Sequence, residues 1–514
     1  MKETVEKQSL SLGIELGSTR IKAVAIDEDF RAVSSGDYTW VSRCENGIWT
    51  YPLEQVWEGL RAALSGIANR ERISAMGISG MMHGYLAFDK DWSLLVPFRT
   101  WQNTMTAQAA AELTEVFGFN IPQRWSIAHL YQAVLNGEAH IEKIAHITTL
   151  AGFVHYKLTG VNAVGIGEDS GIFPIDSTGE CYDKTMLHKF SILPENRDLP
   201  WRVEDVLPRV LVAGESAGQL TAEGAALLGG LLPAGIPLAP PEGDAGTGMA
   251  ATNAVAPASG NVSAGTSIFA MVVLDKPLSG VYPEIDMVTT PTGEPVAMVH
   301  CNNCTNDMNA WAELLRQNLA LFGCTIDRES LFTKLYEESL NGDPDCGGIT
   351  VCNYLAGEPV TGFGRGCPLV MRTQQSIFTP ANFMRAQLYS AIATLALGMD
   401  ILKKENVRIS RLTGHGGLFK TPVVGQRFLA AAVNSPVCVM KTAGEGGPYG
   451  MALLSAYLTA GRGRTLEMFL EQDVFENAKS VVMEPLQEDV AGFGAYLRQF
   501  RNGLAVERAA VECI

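Results

Sequence analysis

Five stretches of the chain carry residue types and spacings that chemistry could use. In "PPEGDAGTGMAA" (240–251) one acid, Asp244, stands in a glycine-rich stretch straight after the apolar "GIPLA". Taken alone, it reads as a flexible turn. Its acid is then either an ordinary surface charge or a carboxylate held close to a bound substrate. Two other stretches, "LGIELGSTRIKAVAID" (12–27) and "GNVSAGTSIFAMVVLD" (260–275), each read as strand, tight turn, strand, with Gly and two hydroxyl residues in the turn. Glycine lets backbone N–H groups approach an anion, and Ser and Thr hydroxyls add donors, so both turns point to phosphate. "GHGGLFKTP" (414–422) and "GEGGPYGMALLSAYLTAG" (444–461) each place glycines ahead of a helix-like run, an arrangement suited to a nucleotide's phosphates and base. One such turn says little. Four in one chain argue for a nucleotide.

Three nearby patterns fail on context. The ATPase P-loop requires Gly immediately before its Lys, and Phe419 occupies that place before Lys420. "GESAG" (214–218) fits a nucleophile elbow in letters only. The elbow needs a strand before Ser216 and a helix directly after it, whereas "QL" follows and a helix starts later, with Thr221 as its N-cap. Cys301 and Cys304 in "HCNNCT" have metal-site spacing, but no second Cys or His pair stands at zinc distance and only His300 is adjacent. Structural cysteines are expected there.

Composition narrows the class. A chain of 514 residues is about three times the usual single-domain length, so two or three domains are expected. A net charge of -16 argues against a nucleic-acid partner, which needs a basic face, but leaves a locally built phosphate site possible. "MKETVEKQSLSLGI" has no apolar signal region, and ten scattered cysteines suit reduced thiols, so a cytoplasmic location is expected. The uncharged "GAALLGGLLPAGIPLAPP" (224–241) carries too many Gly and Pro for a membrane helix, so no membrane partner is expected.

The elements that must position these residues echo each other. Without a gap, Gly17 falls on Gly265, Ser18 on Thr266, Thr19 on Ser267 and Asp27 on Asp275, an offset of 248 residues. This suggests two similar lobes, 1–257 and 258–514, whose hairpins face each other across a cleft and grip one polyphosphate. "PLEQVWEGLRAALSGIA" (52–68) reads as a helix before the buried strand "RISAMGISGMM" (72–82). "TPANFMRAQLYSAIATLALGMDILKKE" (379–405) reads as a helix with Thr379 as N-cap and Pro380 in its first position. "VRISRLTGHGGLF" (407–419) reads as a strand running into a Gly-rich turn. Residues from about 464 onward read as helices closing the second lobe. The fold class is mixed α/β in both lobes.

Together these segments resemble the FGGY family of carbohydrate kinases over nearly the whole chain. "GIELGSTRIKAV" resembles the family's first phosphate motif. "GISGMMHGYLAFD" with "PFRTWQN" resembles the sugar segments of its ketose kinases. The stretch ending at Asp244 resembles the family's catalytic segment, "SAGTS" its second phosphate motif, and "GHGGLFKTPVVGQRFLAAAVNSPV" its adenosine motif. The resemblance implies a two-lobed, duplicated actin/hexokinase/Hsp70 fold, related to ribonuclease H, and ATP- and Mg2+-dependent phosphorylation of a sugar hydroxyl. Asp244 matches the family's base. Gly17, Ser18, Thr19, Lys22, Gly265, Thr266, Ser267, Gly416 and Gly417 match its ATP positions. Met82, His83, Trp101, Gln102, Asn103, Glu168 and Asp244 are assigned to the sugar, and Glu15 and Asp244 to the metal.

Three positions depart from the family pattern. Glu15 stands where the family has Asp, Asn103 where it has a sugar-contacting Asp, and Met81 where Gln is common. The expectation is an ATP-dependent kinase of a ketopentose of the xylulose or ribulose type. The alternatives are another ketose such as sedoheptulose, a polyol, or a silent sugar- or nucleotide-binding regulator. A homodimer is left open.

Overall fold

A computed structural model describes residues 9–440, 446–461, 463–478 and 480–513. The chain divides into two units. The first comprises Met1–Pro257, Asp286–Val296 and Glu445–Ala478; the second comprises Ala258–Ile285, Ala297–Gly444 and Lys479–Ile514. The division is therefore not sequential, as the 1–257 and 258–514 reading had it. Two later segments return to the first unit, and packing gives the reason. The helix Gly446–Ala460 lies so close on the first strand that a methyl group at Gly13 would strike the main chain of Pro448 and Ala452.

In the first unit, β1 (Leu10–Leu16) and β2 (Arg20–Ile26) form the first hairpin, with β3 (Ala32–Thr39) antiparallel to β2. Helix α1 (Leu53–Ser65) leads to β4 (Ile73–Gly80), parallel to β1, and the short β5 (Glu242–Gly243) adds in parallel to β4. The sheet order is β5-β4-β1-β2-β3. β1 is apolar at Leu10, Leu12, Ile14 and Leu16, all buried, as a central strand covered on its faces requires. Residues 244–251, read as part of a loose turn, instead form helix α2 (Asp244–Ala251) directly after β5. Tertiary packing overrides the poor helix propensity of Gly246 and Gly248.

In the second unit, β6 (Ser259–Ala264) and β7 (Ile268–Val273) form the second hairpin. β8 (Pro295–Cys301) lies beside β7. Helix α3 (Pro380–Lys404) precedes β9 (Arg411–His415), and α4 (Val424–Val433) precedes β10 (Val437–Met440). β11 (Ser480–Met483) and helix α5 (Gln487–Cys513) follow them in the same unit. Six strands of this seven-stranded sheet run in the order β8-β7-β6-β9-β10-β11, which reproduces that of the first sheet around its hairpin, with β9 parallel to β6 and β10 parallel to β9. Thr379 caps α3 by accepting the Asn382 N–H at 3.2 Å. The segment from 464 is not a single closing element. Leu466–Phe469 lies in the first unit, while α5 lies in the second, where Asp489 pairs with Arg385 and Arg427.

Candidate active site

Gly17, Ser18 and Thr19 join β1 to β2, and the Gly17 N–H closes the turn on Arg20 O at 2.9 Å. All three carbonyls of this turn are held. Trp40 Nε1 donates to Gly17 O at 2.7 Å, the Tyr51 hydroxyl to Ser18 O at 2.7 Å, and the Trp40 N–H to Thr19 O at 3.2 Å. A trans peptide points its N–H opposite its carbonyl, so the N–H groups of Ser18 and Thr19 face away from both aromatic residues. Ser18 and Thr19 are exposed, while Trp40 and Tyr51 are buried with ring centroids 4.4 Å apart. The turn is thus pre-set to offer donors to an anion. Sequence reasoning missed Trp40 and Tyr51, which lie 23 and 33 residues from their acceptors.

Next to this turn, Glu15 pairs across the hairpin with Lys22. Burial pushes the Glu15 carboxyl up to about 8; Asp244 adds to the push and Lys22 partly offsets it. Asp244 is the first residue of α2, and its Oδ1 accepts the Met82 N–H at 3.2 Å. Burial raises its pKa too, against the pull of the Met82 and Ala245 N–H groups. A helix start suits a carboxylate, because its first N–H groups lack partners within the helix.

A second layer of acids lies behind Asp244. Glu242 accepts the N–H groups of Gly167 and Glu168 at 3.3 and 3.1 Å, and burial pushes it up to about 8. Glu168 is fully buried and driven well above the carboxylate range by burial, with Asp244, Glu242 and Asp169 adding to the effect. Neither Glu168 oxygen meets hydrogen-bond geometry with a partner, although the Thr149 hydroxyl offsets part of the push. Burial thus favours the protonated form of Glu168, which can donate as well as accept. The glycines of the segment leave room for these acids. A side chain at Gly243 would strike Glu168 Oε2, and one at Gly246 would come within 3.1 Å of Glu242 Oε2. Glu242 was missed in sequence reasoning; a lone acid between apolar residues and the Gly-Asp pair was the available signal.

His83 follows Met82 with φ of 69°, a strained value for a residue with a side chain and one that concentrates at functional sites. Its ring stacks on Trp125 at 6.3 Å, and Gly171 leaves space behind it. Tyr85 and Arg99 exchange main-chain hydrogen bonds of 2.8 and 3.2 Å, which brings the Trp101 segment beside the His83 segment. Trp101 is half-buried against the core, and Gln102 Oε1 has no hydrogen-bond partner. Asn103, assigned to the sugar, is buried. Its Oδ1 accepts the Trp49 N–H at 2.9 Å, and its Nδ2 donates to Trp49 O and Thr100 O at 2.8 and 2.9 Å. Its amide clasps the Trp49 loop.

In the second unit, the Gly265 N–H donates to Ser267 O at 2.9 Å. Gly265 O accepts the Thr305 N–H at 3.2 Å and the Thr305 hydroxyl at 2.7 Å, and Thr266 O accepts the Cys304 N–H at 3.0 Å. The N–H groups of Thr266 and Ser267 therefore face away from the 304–305 segment. Beside this turn, Ser263 pairs with His415 across β6 and β9. Gly416 has φ of 99° and lies against Ala264 O, where a side chain would clash. Gly416 and Gly417 are exposed, whereas Leu418 and Phe419 anchor the turn from below. The expected glycine turn at 444–445 lies outside the described residues. Cys301 and Cys304 are buried thiols with pKa values raised by burial, as structural cysteines are. Among the described residues, no helix is long and apolar enough to cross a membrane. Also among them, no group of three or more His, Cys, Asp or Glu could hold a metal ion by itself.

Residues 10–250 match the N-terminal domain of the FGGY family of carbohydrate kinases, and residues 260–459 match its C-terminal domain. A xylulose kinase from Haemophilus influenzae is 24% identical over 451 residues, spanning 84% of this chain and 87% of that protein. Among solved structures, a xylulose kinase from Lactobacillus acidophilus superposes with a TM-score of 0.79 at 16% identity, covering 97% of this chain and 98% of that one. A gluconate kinase from the same organism gives a TM-score of 0.79 at 17% identity, covering 97% and 99%.

Proposed function

Because the chain belongs to the FGGY family of carbohydrate kinases, we propose that it transfers the γ-phosphoryl group of ATP to a primary hydroxyl of a ketopentose, of the xylulose or ribulose type. The chain is a phosphotransferase with an alcohol acceptor. One observation carries the detailed reading. Asp244 stands at a helix start and accepts the N–H of Met82, the residue before His83, and its charge adds to the effect of burial that raises Glu168.

Asp244 is the base. Its raised pKa suits a group that must accept a proton from a hydroxyl, and the Met82 N–H fixes its second role, orientation. His83, Gln102 and Glu168 supply polar partners for sugar hydroxyls, and Trp101 supplies an apolar wall. The substrate is a neutral sugar rather than an acid sugar. Burial already raises Glu15 and Glu168, with the Asp244 charge adding to it, and a substrate carboxylate would be one more negative charge in these surroundings. A polyol is the second reading, favoured by Asn103, whose amide is committed to Trp49 and Thr100 and so leaves one sugar contact unmade.

The turns Gly17–Thr19 and Gly265–Ser267 each take phosphate oxygens on outward N–H groups, and Gly416 and Gly417 lie against the nucleotide. Glu15 and Asp244 repel one another, so this carboxylate pair fits a hydrated Mg2+ that arrives with ATP and keeps several waters. The ion would neutralise charge on the phosphates. An ADP-release assay over a panel of ketoses, polyols and gluconate tests the reading. Turnover on a ketopentose that is lost in Asp244→Asn is expected. No turnover on any sugar, as a silent regulator would give, overturns it.

A further inference from the structure

Glu358 lies in the second unit, fully buried, far along the chain from any motif described above. Its Oε2 accepts the Asn303 N–H at 3.2 Å and the Asn303 Nδ2 at 3.1 Å. Asn303 Oδ1 in turn accepts the N–H groups of Leu355 and Ala356, both at 2.9 Å. Asn302 Nδ2 donates to Gly357 O at 2.8 Å, and Asn353 Nδ2 to Cys304 O at 2.8 Å. Residues 302–304 are thus clasped onto residues 353–358. The residues that follow Asn303 reach the glycine turn. Cys304 donates its N–H to Thr266 O, and Thr305 donates its N–H and hydroxyl to Gly265 O.

We infer that Glu358 is a positioning residue for nucleotide phosphate: by fixing Asn303 it holds the 304–305 main chain, which turns the Thr266 and Ser267 N–H groups outward. The inference rests on the reading that the Gly265–Ser267 turn binds phosphate. Glu358 touches no reacting atom. It acts through two peptide units, a short rigid path in which a shift at Asn303 reaches the turn directly.

The chain of contacts has a titratable origin. Burial pushes Glu358 up to about 7, against the pull of hydrogen bonds from Asn303, Asn302 and Val360. Cys301 and Tyr354 are the titratable groups that feel its charge, and burial keeps both neutral through this range. The ionised carboxylate binds the Asn303 donors more strongly than the protonated acid does. Nucleotide binding therefore weakens as pH falls from 8 to 6.

The test uses the full chain and compares Glu358→Gln, Asn303→Ala and the control Glu507→Gln. Glu507 is another buried acid of the same unit, also pushed up to about 7, but its hydrogen bond is to the Cys367 N–H. KM for ATP, KM for sugar, kcat and MgADP affinity by calorimetry are measured from pH 6 to 8, with melting curves to establish folding. For Glu358→Gln, KM for ATP and Kd for MgADP rise about three- to tenfold, the equivalent of one good hydrogen bond, with little change in KM for sugar or kcat. Their pH dependence over this range disappears. Asn303→Ala gives a similar rise, and the double variant is less than additive. Glu507→Gln behaves as wild type. Folded Glu358→Gln or Asn303→Ala proteins with unchanged nucleotide affinity overturn the inference while leaving the kinase reading intact. A wild type that neither binds MgADP nor turns over any sugar overturns both.

Discussion

The two hairpins, 248 residues apart, have the same sheet neighbours and the same Gly-hydroxyl-hydroxyl turn, but different construction. In the first, the last paired residues are Leu16 and Ile21, and Gly17 closes on Arg20; in the second they are Ala264 and Ile268, and Gly265 closes on Ser267. The second turn is tighter by one residue. The supports differ as well. Side chains of Trp40 and Tyr51 hold carbonyls of the first turn, whereas the 304–305 segment holds those of the second. Charge differs most. Glu15 and Lys22 pair beside the first turn, and the residues paired at the equivalent place in the second are Ser263 and Phe269. The lesson is a division of labour: in the proposed reading both turns take phosphate, but only the first lies among acids, including Asp244, that can act on a metal or a proton.

Charge removal should separate the hairpins most sharply. Glu15→Ala is expected to lower kcat by about 10- to 100-fold, the scale of a lost charge-assisted contact, with an altered Mg2+ dependence. Ser263→Ala is expected to stay within about twofold, since exposed or half-buried neutral side chains usually contribute little. Equal losses in steady-state kinetics would break the comparison.

A methyl group probes the space each turn leaves. An added Cβ at Gly265 meets nothing within 4 Å, so Gly265→Ala should melt as wild type yet raise KM for ATP about tenfold by blocking phosphate approach. At Gly17 the same Cβ lies 3.2 Å from Arg20 O and 3.3 Å from Glu15 Oε1, so Gly17→Ala should lose melting temperature as well as affinity. Unchanged nucleotide affinity in Gly265→Ala would remove the second turn from the phosphate site.

Smaller effects are expected from the supports. Tyr51→Phe removes the donor to Ser18 O and should cost about 1 kcal/mol of stability, with a few-fold rise in KM for ATP. Asn353→Ala tests the corresponding support of the second turn through Cys304. If either substitution leaves both melting and KM unchanged, carbonyl clamping does not pre-set that turn.

The smallest effect is the pH dependence of stability. Glu15 and Glu242 are held at about 8, and Glu358 and Glu507 at about 7, all above their unfolded value of 4.5. The folded chain therefore binds more protons than the unfolded chain between these limits. Stability is full below pH 4.5 for these groups and is lost as pH rises through 7 to 8. Melting of the ligand-free protein should fall over that interval, and Glu15→Gln should flatten the fall. A rise would contradict burial as the dominant influence on these acids.

Much of this architecture is legible in the sequence where local chemistry sets it. Thr379 and Pro380 mark the start of α3 because capping is a local interaction, and the alternating apolar residues of β1 mark a buried strand. Thr221 caps its helix as its type and position predict, accepting the Gly224 N–H at 2.9 Å, and this excludes the nucleophile-elbow reading of Ser216. Asp244 reads as a turn residue because glycines suppress helix propensity, and only contacts with Glu168, Glu242 and the helix Gly446–Ala460 reveal why small residues are needed. Trp40, Tyr51 and Glu358 escape detection for another reason. They act on main-chain groups distant in sequence, and a backbone acceptor leaves no mark in residue identity. Cys304 is the clearest case, since its contribution to the turn comes from its N–H and not from its thiol.

The central claim is that Asp244 performs proton transfer while the two glycine turns bind the nucleotide. It is tested most directly by measuring ADP release and MgADP affinity on the same preparation of Asp244→Asn, with saturating ATP and a ketopentose. Turnover is expected to fall about 100- to 10,000-fold, the range for a lost general base, with MgADP affinity within about threefold of wild type. Retained turnover, or a collapse of nucleotide affinity parallel to the loss of activity, would contradict it.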